Sequence, residues 1–266
     1  MKHENEPEQV EENVYEEPSI EDFLFEEDDE KVQKPIIRPI FIKIIVVLIS
    51  LSLLSSIFGV WIKVFNLPSF DFLERSSVLS KEEMIQEYKQ AVVTIEGNGV
   101  KGTGFNISID GLIITNSHVI DGMNQIVVSF PNGDFYKGDV VLDEKEIDIA
   151  IVNISPEQEL PYLPLAEKQK GKWNISDRVY IIGNPLAYTR IAIDGKIVSE
   201  EPNGSIKIEA PIHKGNSGSP VINEDGMVIG VIYAKSIPKV GKEDLVQGFA
   251  TPIEQFSKYL TEDRTP

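Results

Sequence analysis

Residues 44–62 form a run of 19 side chains without a single charge, bracketed by Lys43 and Lys63. No run of this kind can sit on the surface of a small soluble domain, and this one lacks the polar face that a core helix would show. As a helix rising 1.5 Å per residue it would reach roughly 28 Å, close to the hydrocarbon thickness of a bilayer. It begins after 43 residues and is longer than the apolar core of a cleaved leader, so the sequence predicts an uncleaved signal anchor, a transmembrane helix over 39–65. The chain is thereby divided: a tail at 1–38, the helix, a stalk over 66–79 and a globular part over 80–266.

The tail carries 14 acidic and 4 basic residues, and its few large apolar side chains cluster at Phe23, Leu24 and Phe25. It has too little apolar surface to offset the entropy of ordering, so it is expected to be disordered, with a short docking motif around 20–25 as the functional alternative. Orientation follows Lys and Arg rather than net charge. Lys31, Lys34, Arg38 and Lys43 precede the apolar run, whereas Lys63 and Arg75 follow it. The expected topology is single-pass, with the N-terminus cytoplasmic and the globular part extracytoplasmic. The formal net charge of −18 excludes nucleic acid as a partner, because no basic surface is available for phosphates. The absence of cysteine excludes a disulfide-stapled or cysteine-ligated metal design. Pro68 and scattered polar residues interrupt any periodicity in the stalk.

Beyond residue 80 the pattern becomes β. A capping box, Ser80 with Glu83 three residues on, predicts a short helix over 81–89 presenting Met84, Ile85 and Tyr88. Short apolar runs then follow at 91–96, 104–108, 112–115, 125–130, 139–142 and 148–154. Between them lie Gly97-Asn98-Gly99, Asp110-Gly111 and Asn132-Gly133. A Pro- and charge-rich crossing over 155–173 leads to a second set at 178–183, 192–199, 205–209, 220–222, 228–234 and 247–251, and a terminal helix at 253–260. The expected fold class is all-β: two antiparallel six-stranded β-barrels with a cleft between them.

Three residues set in these runs carry the chemistry. His118 follows an apolar strand in Thr115-Asn116-Ser117-His118-Val119. Asp148 opens Asp148-Ile149-Ala150-Ile151-Val152, where a carboxylate is costly to bury unless paired. Ser217 sits in Gly215-Asn216-Ser217-Gly218-Ser219-Pro220. His, Asp and Ser in that chain order, 30 and 69 residues apart, follow the chymotrypsin-type triad. The spacing suits two small barrels, the first two residues on one and the serine on the other. A serine hydroxyl is a weak nucleophile until a neighbouring base takes its proton. His118 is the expected base, oriented by Asp148. The backbone amides of Gly215 and Ser217 are the expected oxyanion donors. The only other histidines are His3 and His213, without the spacing of a zinc helix, so neither metal nor cofactor is expected.

These segments, with Gly102-Thr103-Gly104-Phe105, Ile181-Ile182-Gly183-Asn184-Pro185, Gly195-Lys196-Ile197-Val198-Ser199 and Gly248-Phe249-Ala250-Thr251-Pro252, resemble the trypsin-fold serine proteases of the HtrA (Deg) group in family order over about 82–260. The resemblance implies a double β-barrel serine endopeptidase acting on unfolded or exposed protein or peptide substrates, with His118, Asp148 and Ser217 catalytic. Related proteases trimerise through N-terminal segments, so it admits a homotrimer, which the residues do not themselves show. Two departures matter. Ser219 stands where the family often has glycine, as in glutamyl endopeptidases of the same fold. The chain stops at Pro266, so no C-terminal PDZ domain is expected. By position, Ile212, His213 and Lys214 form one wall of the side-chain pocket and Tyr233, Ala234 and Lys235 the other. Ile212 and Ala234 favour small or medium apolar side chains, whereas His213 and Lys235 favour an acidic one. The competing reading is a catalytically latent or inactive protease fold that binds or scaffolds at the membrane.

Overall fold

The computed structural model describes residues 39–65, 71–166, 173–186, 188–236 and 247–260. The acidic tail with its 20–25 motif, and Pro68 and Phe70 of the stalk, lie outside the described residues. The chain divides into two units, residues 1–67 and 68–266. The first contains α1 (Pro39–Phe65), a 27-residue helix whose stretch Ile40–Gly59 has a mean hydropathy of 2.6 and is long and apolar enough to cross a membrane.

The second unit is built on twelve strands. Six of them, β1 (Val92–Gly97), β2 (Val100–Asn106), β3 (Leu112–Thr115), β4 (Ile126–Ser129), β5 (Phe135–Glu144) and β6 (Ile149–Asn153), close into a barrel in the order β1-β2-β3-β6-β5-β4. The other six are β7 (Arg178–Gly183), β8 (Ile191–Glu200), β9 (Ile206–Glu209), β10 (Pro220–Ile222), β11 (Val228–Lys235) and β12 (Gln247–Pro252). They close in the order β10-β11-β12-β9-β8-β7. Every strand pairing in both barrels is antiparallel.

Strand side chains alternate between faces, and several of these strands are buried on both, which is why they read as unbroken apolar runs. In β3, Ile113 fills the first barrel with Val93, Ile95 and Val152, while Ile114 faces the other way. In β7, Val179 and Ile181 fill the second barrel, while Tyr180 and Ile182 face outward. The outward sets meet: Val92, Phe105, Ile114 and Ile149 of the first barrel pack with Tyr180, Ile182, Ile222 and Val231 of the second. This shared layer fixes the barrels against each other and positions the cleft.

Three local expectations are corrected. The helix after residue 80 is α3 (Glu83–Ala91), and its N-cap is Glu82 with no side-chain cap. The Ser80 hydroxyl is engaged elsewhere: it donates to the Ser76 carbonyl at 2.5 Å and accepts from Lys89 Nζ. Part of the predicted stalk is instead helix α2 (Asp71–Leu79), packed on β8. Its inward residues Phe72, Ser76 and Leu79 recur at helical spacing and are buried. The last element is a pair of 3₁₀ turns, Ile253–Gln255 and Ser257–Leu260, rather than one α-helix.

Candidate active site

His118 lies on a short helix, α4 (Ser117–Ile120), entered directly from β3 and anchored in the first barrel by Val119 and Ile120. Asp148 precedes β6 with φ 54°, a left-handed conformation that aspartate tolerates better than most residues. Asn116 Nδ2 donates to the Asp148 carbonyl at 2.8 Å, which fixes the backbone there. The carboxylate then holds His118 twice: Oδ1 accepts the His118 backbone N–H at 3.0 Å and Oδ2 lies 2.7 Å from Nδ1. A carboxylate only accepts, so Nδ1 carries a proton and Nε2 is the nitrogen left to act on a substrate. The imidazole is half exposed, open to a molecule in the cleft.

Ser217 sits on a turn leading into β10, between two glycines with positive φ. Gly215 has φ 100° and Gly218 φ 83°. At Gly215 a Cβ would stand 2.4 Å from the Asn184 carbonyl oxygen, and at Gly218 1.9 Å from the Thr103 carbonyl oxygen. Both positions therefore require glycine on two grounds, conformation and space. The turn is held from within by Asn216 N to His213 O at 3.1 Å and Ser219 N to Asn216 O at 3.0 Å, and to β11 by Gly218 N to Ile232 O at 2.9 Å.

Thr103 of β2 holds the turn from the opposite barrel. Its N–H donates to the Ser217 carbonyl at 3.2 Å and its hydroxyl to the Gly215 carbonyl at 2.7 Å. That hydroxyl also accepts from Asn184 N at 2.9 Å, and Thr115 Oγ1 donates to the Thr103 carbonyl at 2.7 Å. The carbonyls of Gly215 and Ser217 are thus drawn inward, and among the described residues their own amides donate to nothing. Because α4 also packs on β2, one strand carries both the histidine helix and the backbone of the serine. Thr103 and Asn184 stand in motifs of the sequence, but nothing in those motifs marks this role. The signal for it, a small hydroxyl residue between two glycines, is too short to read alone.

Within the turn, Asn216 is fully buried with both side-chain amide atoms unpartnered among the described residues, as are Ser219 Oγ and, on the first barrel, Asn116 Oδ1. The six pocket residues divide. Ile212 is 1% exposed and packed in the second barrel with Ile232 and Phe72, so its side chain belongs to the core and forms no open wall. His213 is half-buried, its ring 4.8 Å from that of Phe72, and Lys214 and Lys235 are exposed. Burial lowers the His213 pKa, and the nearby Lys235 lowers it further. Tyr233 occupies a β-bulge between Ile232 and Ala234, which turns it toward Ser205 Oγ at 3.3 Å and the Phe249 ring.

Residues 102–231 match the trypsin-like peptidase domain family. Serine protease HTRA3 of Homo sapiens is 31% identical over 211 residues, 68% of this chain and 44% of that protein. The probable periplasmic serine endoprotease DegP-like of Chlamydia pneumoniae is 36% identical over 140 residues, 50% of this chain and 28% of that one. The crystal structure of the serine endoprotease from Yersinia pestis superposes with a TM-score of 0.59 at 27% identity, covering 66% of this chain and 64% of that one. The chain carries an HtrA-like serine protease domain of the trypsin fold. This HtrA-like chain spans less than half the length of the two curated relatives.

Proposed function

We propose that the HtrA-like domain is a serine endopeptidase with His118, Asp148 and Ser217 as its triad, tethered to a membrane by α1. The observations that carry this reading are the doubly held Asp148–His118 pair and, linked to it through β2, a turn whose Gly215 and Ser217 amides donate to nothing among the described residues. Ser217 Oγ attacks the peptide carbonyl as His118 Nε2 takes its proton. Asp148 stabilises the imidazolium that forms. The negative oxygen of the tetrahedral intermediate is received by the amides of Gly215 and Ser217, donors of a kind each worth about 2.7–4 kcal/mol in the transition state. Collapse expels the amine, protonated by His118, and leaves an acyl-enzyme on Ser217. Water, activated by the same imidazole, hydrolyses it.

The substrates proposed are unfolded or exposed protein segments outside the cytoplasm. The Lys and Arg excess before α1 supports a cytoplasmic N-terminus, and the chlamydial relative's description as periplasmic agrees with an extracytoplasmic domain. The test is fluorophosphonate labelling and casein hydrolysis by the full chain in detergent, beside Ser217→Ala. Both signals are expected in the wild type and neither in the variant. Hydrolysis that survives Ser217→Ala would overturn the assignment. A wild type that neither labels nor cleaves would favour the latent, scaffolding reading.

A further inference from the structure

Helix α2 precedes the barrels in sequence, yet it touches the edges of the catalytic turn. Phe72 is buried between two loops: its ring lies 4.8 Å from that of His213 and 6.1 Å, edge-on, from that of Tyr188. Those loops flank the turn and are joined to each other, since Leu186 N donates to the Lys214 carbonyl at 2.9 Å. The His213 carbonyl in turn accepts the Asn216 N–H. One turn further along α2, buried Ser76 accepts the Ala192 N–H at 3.0 Å through its hydroxyl, and Leu79 closes the helix into the inter-barrel layer. From there a second route runs back. Arg190 N donates to Asn184 Oδ1, Asn184 N to Thr103 Oγ1, and that hydroxyl to the Gly215 carbonyl.

We propose that Phe72 is a positioning residue for the proposed peptidase reaction: wedged behind His213 and Tyr188, it holds the 213–218 turn in the conformation that presents the Gly215 and Ser217 amides. The proposal rests on the protease reading of that turn. Its physical basis is that nothing in the turn's own sequence fixes the His213 side chain. The imidazole gains neither a carboxylate nor a hydrogen bond among the described residues, and its seat is the Phe72 ring. An aromatic pair of this kind contributes beyond its area burial, and does so only at a set geometry. Removing the ring while keeping the site apolar frees His213, and with it the carbonyls of 213 and 214 that support the turn and the adjacent loop.

The test uses the full chain in detergent micelles, with Phe72→Leu, which keeps the site apolar and most of its volume, His213→Asn, and the double variant. Hydrogen exchange is read on the peptide containing Asn216, Gly218 and Ser219, and casein hydrolysis is read as kcat and KM. Phe72→Leu is expected to speed exchange of that peptide about tenfold, leave β4 and β5 unchanged, and lower kcat about tenfold with KM retained. His213→Asn is expected to do the same, and the double variant no more than either alone, as for two residues acting through one contact. Unchanged exchange in the turn overturns the proposal whether or not the protein cleaves casein. So do losses that add, or a kcat equal to that of an active wild type. A wild type without turnover counts against the protease reading instead, and the exchange measurement still decides whether Phe72 orders the turn.

Discussion

Two imidazoles of the HtrA-like domain stand in opposite electrostatic surroundings. His118 faces the Asp148 carboxylate, whereas His213 is packed on Phe72 with the Lys235 cation nearby. For His213, burial first and Lys235 second hold the pKa below the ordinary 6.5. As pH falls through 6.5 the unfolded chain therefore takes up this proton before the folded one. Stability contributed by neutral His213 is complete above 6.5 and is lost as pH drops toward the depressed folded value. Melting temperatures followed by tryptophan fluorescence from pH 7.5 to 5.5 should fall more steeply for the wild type than for His213→Gln. Parallel curves would mean that the imidazole titrates freely.

At the scale of elements, the turn that carries Ser217 joins local and long-range control. Gly215 has positive φ and no room for a Cβ against the Asn184 carbonyl. Gly215→Ala should therefore rotate the peptide that carries one proposed oxyanion donor. A loss of kcat on the order of 10²-fold or more is expected, the scale of deleting one such donor, and measurable by casein hydrolysis with the melting temperature as a control for folding. Equal kcat in the variant would exclude this amide from the oxyanion site. The strands around the turn were largely legible: β3, β7 and β10 have the bounds that the apolar runs predicted. Strand ends elsewhere moved by a few residues, as at β5, where long solvent-facing pairing extends a strand past its apolar centre. The capping box at Ser80 misled because its hydroxyl bonds back to Ser76 and accepts from Lys89. Helix α2 is not legible in the sequence because its buried stripe runs through a serine, and its partners on β8 and at His213 lie more than a hundred residues away.

For the whole molecule, the apolar helix and the barrels are separate units joined in one chain. If α1 anchors the chain, full-length protein should stay in the membrane pellet through alkaline carbonate and leave it only in detergent. A chain lacking residues 39–65 should appear in the soluble fraction. Release of the intact protein by carbonate would refute the anchor. What the sequence determined alone was whatever is written in local period and residue chemistry: the membrane-length run, the two sets of strands, and His118, Asp148 and Ser217 as candidates for the proposed triad. Spacing, composition and chain order suffice for these, because side-chain alternation and the short motif around each candidate residue are local in sequence. Tertiary structure alone decided that Thr103 holds the serine turn from the other barrel, that Ile212 joins the core, that a bulge redirects Tyr233, and that Phe72 reaches His213. Each of these depends on a contact between residues distant in sequence, formed only once both barrels have closed and packed, and no local pattern encodes it.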